Sequence, residues 1–216
     1  MAVSKQQRIL IVVNSLAKYS TGYWKHIYSF AEQSGVAVAQ NVLGDDYKKI
    51  VVLQSKNATA AKFLKALASA AKAGGIKAVD VFMQLHGSKN TFHFYEGAVS
   101  ASSLRDQILA LKLPKRLRLF YSTCCYGDSQ NHKEMLEAGF KTTIGSKRIN
   151  TTGATEYPSF CSLWQFGNKV ADIMPIADNP ATRAVQDAAA RLLSAHLADA
   201  DSKKVIRGNA QLRIST

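Results

Sequence analysis

The chain has 216 residues, 47% of them hydrophobic and 20% charged, which suits one sizeable core and excludes a disordered chain. No apolar run approaches the ~18–20 residues that cross a bilayer, and the strongest run near the amino terminus, Ile9–Val13, is too short for a secretory h-region. A formal charge of +13, with a pI near 9.7, favours nucleic acid, polyanions or acidic substrates by attraction, but it brings no specificity.

Strands and helices alternate along the chain. Arg8–Val13 is short, β-branched and apolar on both faces, a buried strand. A helix follows with Trp24, Ile27, Tyr28 and Ala31 on one stripe, and Gly35 marks its end. Ile50–Leu53 reads as a second strand. The range 58–73 reads as a helix whose apolar face is Phe63, Leu64, Leu67 and Ala71, ended by Gly74-Gly75. Ala78–Leu85 is a third strand that runs straight into His86-Gly87, and 90–99 alternates as a hairpin would, with His93 on its exposed face.

A helix carrying Leu104, Ile108 and Leu111 stops before Pro114. Leu117–Ser122 is a fourth strand, running into Thr123-Cys124-Cys125-Tyr126-Gly127. Asp128 or Ser129 caps the next helix, which carries His132, Met135 and Leu136 and ends at Gly139. The range 141–145 reads as a fifth strand, followed by a loop to about Pro158. Residues 182–197 form the last clear helix, with Val185, Ala189, Leu192 and His196 on its apolar stripe, and 205–214 reads as a closing strand. No repeat or linker divides the chain. The alternation predicts a single three-layer α/β/α domain over 1–216 with a mainly parallel sheet. Three cysteines, two of them adjacent, do not make a disulfide framework and point to the cytoplasm.

In open α/β sheets, reactive groups gather at the carboxyl ends of strands. Here the third strand ends in His86-Gly87 and the fourth in Cys124-Cys125. Neighbouring strands would set an imidazole and a thiol across one crevice, the arrangement that acyl transfer requires. Backbone N–H groups would hold the oxyanion, and a glycine after the histidine lets its N–H approach closely.

An apolar strand ending in His-Gly (Val81–Gly87), followed by an apolar strand ending in a small residue, Cys, any residue and Gly (Leu117–Gly127), resembles the caspase-like cysteine peptidases of clan CD. That group includes caspases, metacaspases, legumain, clostripain and gingipain. The 39 residues from His86 to Cys125 suit the strand, excursion, helix and strand between them. The resemblance implies a caspase-like fold and a cysteine endopeptidase that works through an acyl-enzyme. His86 would then be the catalytic histidine and Cys125 the nucleophile, with the N–H groups of Gly87 and Cys125 as the oxyanion hole. Cys124 falls where the family carries a small residue. Cys124, Asp128 and Glu156, the last two on predicted loops, are the candidates to line a substrate pocket. The loop containing Lys147-Arg148 is a candidate self-processing site.

Peptides or proteins are the implied substrates, and no cofactor or metal is implied. No phosphatase loop, Cys-x-x-Cys pair, His-x-x-x-His spacing, P-loop or Gly-x-Gly-x-x-Gly follows any strand. Two other readings stay open at this level. One is a caspase-like interaction module with Cys125 inert in the core, and the other a basic nucleic-acid or polyphosphate binder whose affinity falls steeply with salt.

Overall fold

The computed structural model describes residues 2–20 and 22–216, apart from the side chains of Tyr23 and Trp24. In chain order the elements begin with β1 (Arg8–Ser15), α1 (Gly22–Leu43), β2 (Lys49–Gln54), α2 (Ala60–Lys72) and β3 (Ala78–Ser88). A hairpin of β4 (Thr91–Phe94) and β5 (Gly97–Ser100) leads to α3 (Ala101–Ala110) and β6 (Leu117–Ser122). The chain continues through α4 (Gln130–Glu137), β7 (Thr142–Ser146), α5 (Gly153–Gln165), α6 (Val170–Ala177), α7 (Pro180–Leu193) and β8 (Lys204–Gly208).

β1 is buried along its whole length, so both faces need cover and both edges need partners. It lies between β2 and β3, and the full order is β2-β1-β3-β6-β7-β8. The first five of these strands are parallel, and β8 closes the sheet antiparallel to β7. Alternate residues of β1 feed two cores. Ile9, Ile11 and Val13 pack with Phe63 and Leu67 of α2 and Leu104 and Ile108 of α3. Leu10 and Val12 pack with Ala39 and Leu43 of α1 and Phe160 and Trp164 of α5. This is the mainly parallel, three-layer arrangement predicted from the alternation.

Several elements differ from their predicted limits, each for a physical reason. Gly35 does not end α1. A Cβ there would lie 2.1 Å from Gln84 Oε1, so the glycine lets the helix press onto the sheet and continue for two more turns. Of the predicted α1 stripe, the Trp24 side chain lies outside what the structure describes and Ile27 is exposed. Pro158 lies inside α5 rather than at the end of a loop, because Phe160, Cys161 and Trp164 beyond it are buried as one face and their packing outweighs one missing main-chain bond.

The apolar stripe of the last helix points the other way from its prediction. Val185 is 70% and Leu192 89% exposed, while Asp187 and Ala190 face inward. Asp187 sets that orientation by accepting the Thr151 and Ser202 hydroxyls, both at 2.6 Å. β8 stops at Gly208, whose φ of +84° turns the chain away. Among the described residues, no helix is long and apolar enough to cross a membrane.

Candidate active site

Phe82 and Met83 of β3 lie beside Tyr121 and Ser122 of β6, so the two strands finish at the same edge of the sheet. β3 then runs three residues further and turns aside into antiparallel pairing with β4, His86 opposite His93 and Gly87 opposite Phe92. β6 ends at Ser122, and its exit is fastened at once. The Thr123 N–H donates to the Met83 carbonyl at 3.0 Å, and the Cys124 N–H to Ser122 Oγ at 3.1 Å. Two residues later Tyr126 takes a left-handed φ of +55°, unusual for a side chain of that size, and its N–H donates to the Arg148 carbonyl at 2.7 Å.

Gly87 joins the two strand ends. A Cβ on it would stand 3.0 Å from Cys124 Cβ and 3.1 Å from the Cys125 carbonyl oxygen, closer than side chains ordinarily pack. Only a residue without a side chain lets the His86 strand close on the cysteine loop in this way.

The His86 ring is half-buried, and its Nε2 is 2.8 Å from the Leu16 carbonyl oxygen. A carbonyl only accepts, so Nε2 carries the proton and, in the neutral ring, Nδ1 keeps its lone pair. Tyr28 meets the ring edge-on at 4.9 Å and Tyr19 at 6.3 Å. Burial pushes the His86 pKa below the ordinary imidazole value; the Leu16 bond opposes this and His93 adds to it. Cys125 is half-buried, and burial raises its thiol pKa, opposed by the Asn150 main-chain N–H and the charge of Lys204. Tyr28, next to His86, also senses Cys125: after burial, that thiol contributes to raising the tyrosine's pKa. At neutral pH both His86 and Cys125 are therefore uncharged at rest.

The predicted pocket residues fare differently. Cys124 does not line a pocket. It is fully buried in the core between the sheet and α2–α4, which raises its thiol pKa to about 11. Glu156 is not on a loop: it lies in α5, buried, where it pairs with Lys204 Nζ at 3.1 Å and accepts the Tyr121 hydroxyl. Asp128 is on the loop after β6, and its carboxylate accepts Arg207 Nε at 2.6 Å. His93 is half-buried beside His86 rather than exposed, because β4 pairs directly with the end of β3. Lys147 and Arg148 lie in a segment tied to residues 201–203 by main-chain bonds of 2.8 and 3.0 Å.

Sequence reasoning missed the Leu16 carbonyl, the Asn150 N–H and Lys204. The first two act through the main chain, which leaves no residue-type signal. Lys204 was legible only as one basic residue among many.

No protein-family model matches the sequence, and no curated protein sequence matches it. Solved structures do match the fold. Caspase-1 from Spodoptera frugiperda is similar over 95% of this chain and 88% of that one, at 11% identity and a TM-score of 0.57. Pro-sf-caspase-1 is similar over 95% of this chain and 92% of that one, at 13% identity and a TM-score of 0.58. The fold is caspase-like. A secreted C11 cysteine protease from Bacteroides thetaiotaomicron is also similar, over 72% of this chain, at 12% identity and a TM-score of 0.48; the chain spans 53% of that protease. The caspase-like sheet thus carries His86 at the end of its third strand and Cys125 just beyond the neighbouring sixth, with Gly87 between them.

Proposed function

We propose that this caspase-like chain is a cysteine endopeptidase with Cys125 as nucleophile and His86 as the proton-transfer group. The observation that carries the reading is the contact of Gly87 with the Cys124–Cys125 loop, which brings the two strand ends together in a caspase-like fold. The chemistry starts from an uncharged pair. His86 Nδ1 takes the thiol proton as Sγ attacks the scissile carbonyl carbon. The N–H groups of Gly87 and Cys125 hold the oxyanion. When the C–N bond breaks, the Nδ1 proton passes to the leaving amine and a thioester remains. His86 then takes a proton from water as the water oxygen attacks the thioester, and the departing thiolate recovers that proton. Substrates are peptides or proteins, and the three free cysteines suit the reducing cytoplasm.

The test is hydrolysis of a diverse library of internally quenched peptides. Wild type should cleave, and Cys125→Ala should lose at least about 10³-fold in kcat/KM, as expected when a nucleophile is removed. Cys161→Ala should cleave as wild type does. Full activity in folded Cys125→Ala would sink the reading.

A further inference from the structure

The Leu16 carbonyl that accepts from His86 is itself held from behind. Glu32, on α1, is 3% exposed. Its Oε2 accepts the main-chain N–H of Leu16 at 3.0 Å and that of Ala17 at 3.2 Å, and its Oε1 accepts the Ser55 hydroxyl. The Glu32 main chain is anchored in turn, because Asn14 Nδ2 at the end of β1 donates to its carbonyl at 3.0 Å. The carboxylate is therefore fixed relative to the sheet.

The Leu16 carbonyl and the Ala17 N–H belong to one trans peptide unit, in which the two groups point in opposite directions. Glu32 grips that unit by its N–H, and His86 Nε2 bonds its oxygen at 2.8 Å. Two consequences follow. The plane of the peptide cannot swing, so the acceptor stays aimed at Nε2 and the ring keeps Nδ1 free. The carboxylate also polarises the peptide, since a hydrogen bond at the N–H adds negative charge to the oxygen and strengthens the bond at its far end.

We infer that Glu32 is a positioning residue for His86, acting through the Leu16–Ala17 peptide unit. This rests on the reading of His86 as the proton-transfer group.

The experiment compares Glu32→Ala, Glu32→Asp and Glu32→Gln in the full chain. Its primary readout needs no activity: the ¹⁵N resonances of the His86 ring, which report whether the proton sits on Nε2 or Nδ1. Wild type should show the Nε2–H tautomer alone. Glu32→Gln keeps an oxygen at the Oε2 position, so it should keep that tautomer and stay within about threefold of wild-type kcat, because the geometry is held. Glu32→Ala should show a mixture with the Nδ1–H form, and kcat lower by about 10- to 100-fold, with KM within about twofold.

Should Glu32→Ala not fold, Glu32→Asp carries the test. It withdraws the carboxylate by about 1.5 Å, one C–C bond, and should lose the tautomer that Glu32→Gln keeps. A pure Nε2–H tautomer in every folded variant, or an activity that needs His86 and ignores Glu32, overturns the assignment. An activity indifferent to His86→Ala instead overturns the proposed function, and the ring resonances still decide what Glu32 holds.

Discussion

Gly87 carries the single-residue demand that bears most directly on the site. Its missing side chain lets Cys124 Cβ and the carbonyl oxygens of Cys125 and Thr91 stand 3.0 to 3.2 Å from where a Cβ would be. Gly87→Ala must move either the end of β3 or the cysteine loop by a few tenths of an ångström. Overpacking of this kind costs about 1–3 kcal/mol, which a domain with ~5–15 kcal/mol of stability tolerates. The geometry between His86 and Cys125 does not survive so easily. We expect folded Gly87→Ala, checked by circular dichroism, to lose about 10²-fold in kcat/KM. Wild-type activity in that variant would remove Gly87 from the site. At this scale the sequence singled out His86, Gly87 and Cys125 because each follows a run read as a buried strand, and the structure sets Gly87 against the Cys124–Cys125 loop. Glu156 misled because its loop was in fact helix, and a carboxylate near a predicted site carries no mark of being paired with Lys204 in the interior.

The elements that were easy to read are those whose burial pattern matches their period. β1, β3 and β6 are runs of buried, mainly apolar residues, and α2 buries Phe63, Leu67 and Ala71 on one side with lysines on the other. Errors arose where one residue type has two physical uses. Gly35 looked like a stop, yet within α1 it is the point where the helix backbone meets Gln84. Gln84 has little freedom to withdraw, being 4% exposed and bonded to Asn14. Gly35→Ala should therefore destabilise by about 1–3 kcal/mol in urea unfolding, although alanine is the better helix former by about 1 kcal/mol. A more stable variant would show that the contact yields. Likewise, α7 carries an apolar periodicity that faces solvent, because the tether through Asp187 fixes its rotation and tethers of that kind leave no periodic signal.

Over the whole molecule, the charge of +13 hides a division between surface and interior. Arg118 sits in the tightest basic cluster of the sequence, with Lys112, Lys115 and Arg116, yet it is 1% exposed and paired with Asp80, and Lys204 is buried against Glu156. Buried charge and buried histidine tie stability to pH. His132 is completely enclosed, and burial first, then the charges of Arg207 and Lys204, push its pKa down to about 3. In the unfolded chain an imidazole titrates near 6.5. Between those values the unfolded chain holds a proton that the folded chain does not. This contribution to stability is therefore complete above about pH 6.5 and is lost as the pH falls toward 3. One such group gives a slope of about 1.4 kcal/mol per pH unit. Urea unfolding near pH 5 and pH 6 should reveal it, and His132→Gln should flatten the dependence by about that amount; an unchanged slope would mean that the acid sensitivity lies elsewhere.

The central claim is that Cys125 is a reactive thiol governed by His86, and limiting alkylation of the native protein tests it most directly. Iodoacetamide is applied from about pH 5 to about pH 9, and the modified residue is located by mass spectrometry. Burial raises the thiol pKa and lowers that of His86, so no preformed ion pair supplies thiolate in acid. The account predicts labelling at Cys125 first, rising with pH and slowed in His86→Ala. Cys124 and Cys161 should stay unmodified until the chain unfolds. First labelling at either of those, or a Cys125 rate indifferent to His86, would contradict it.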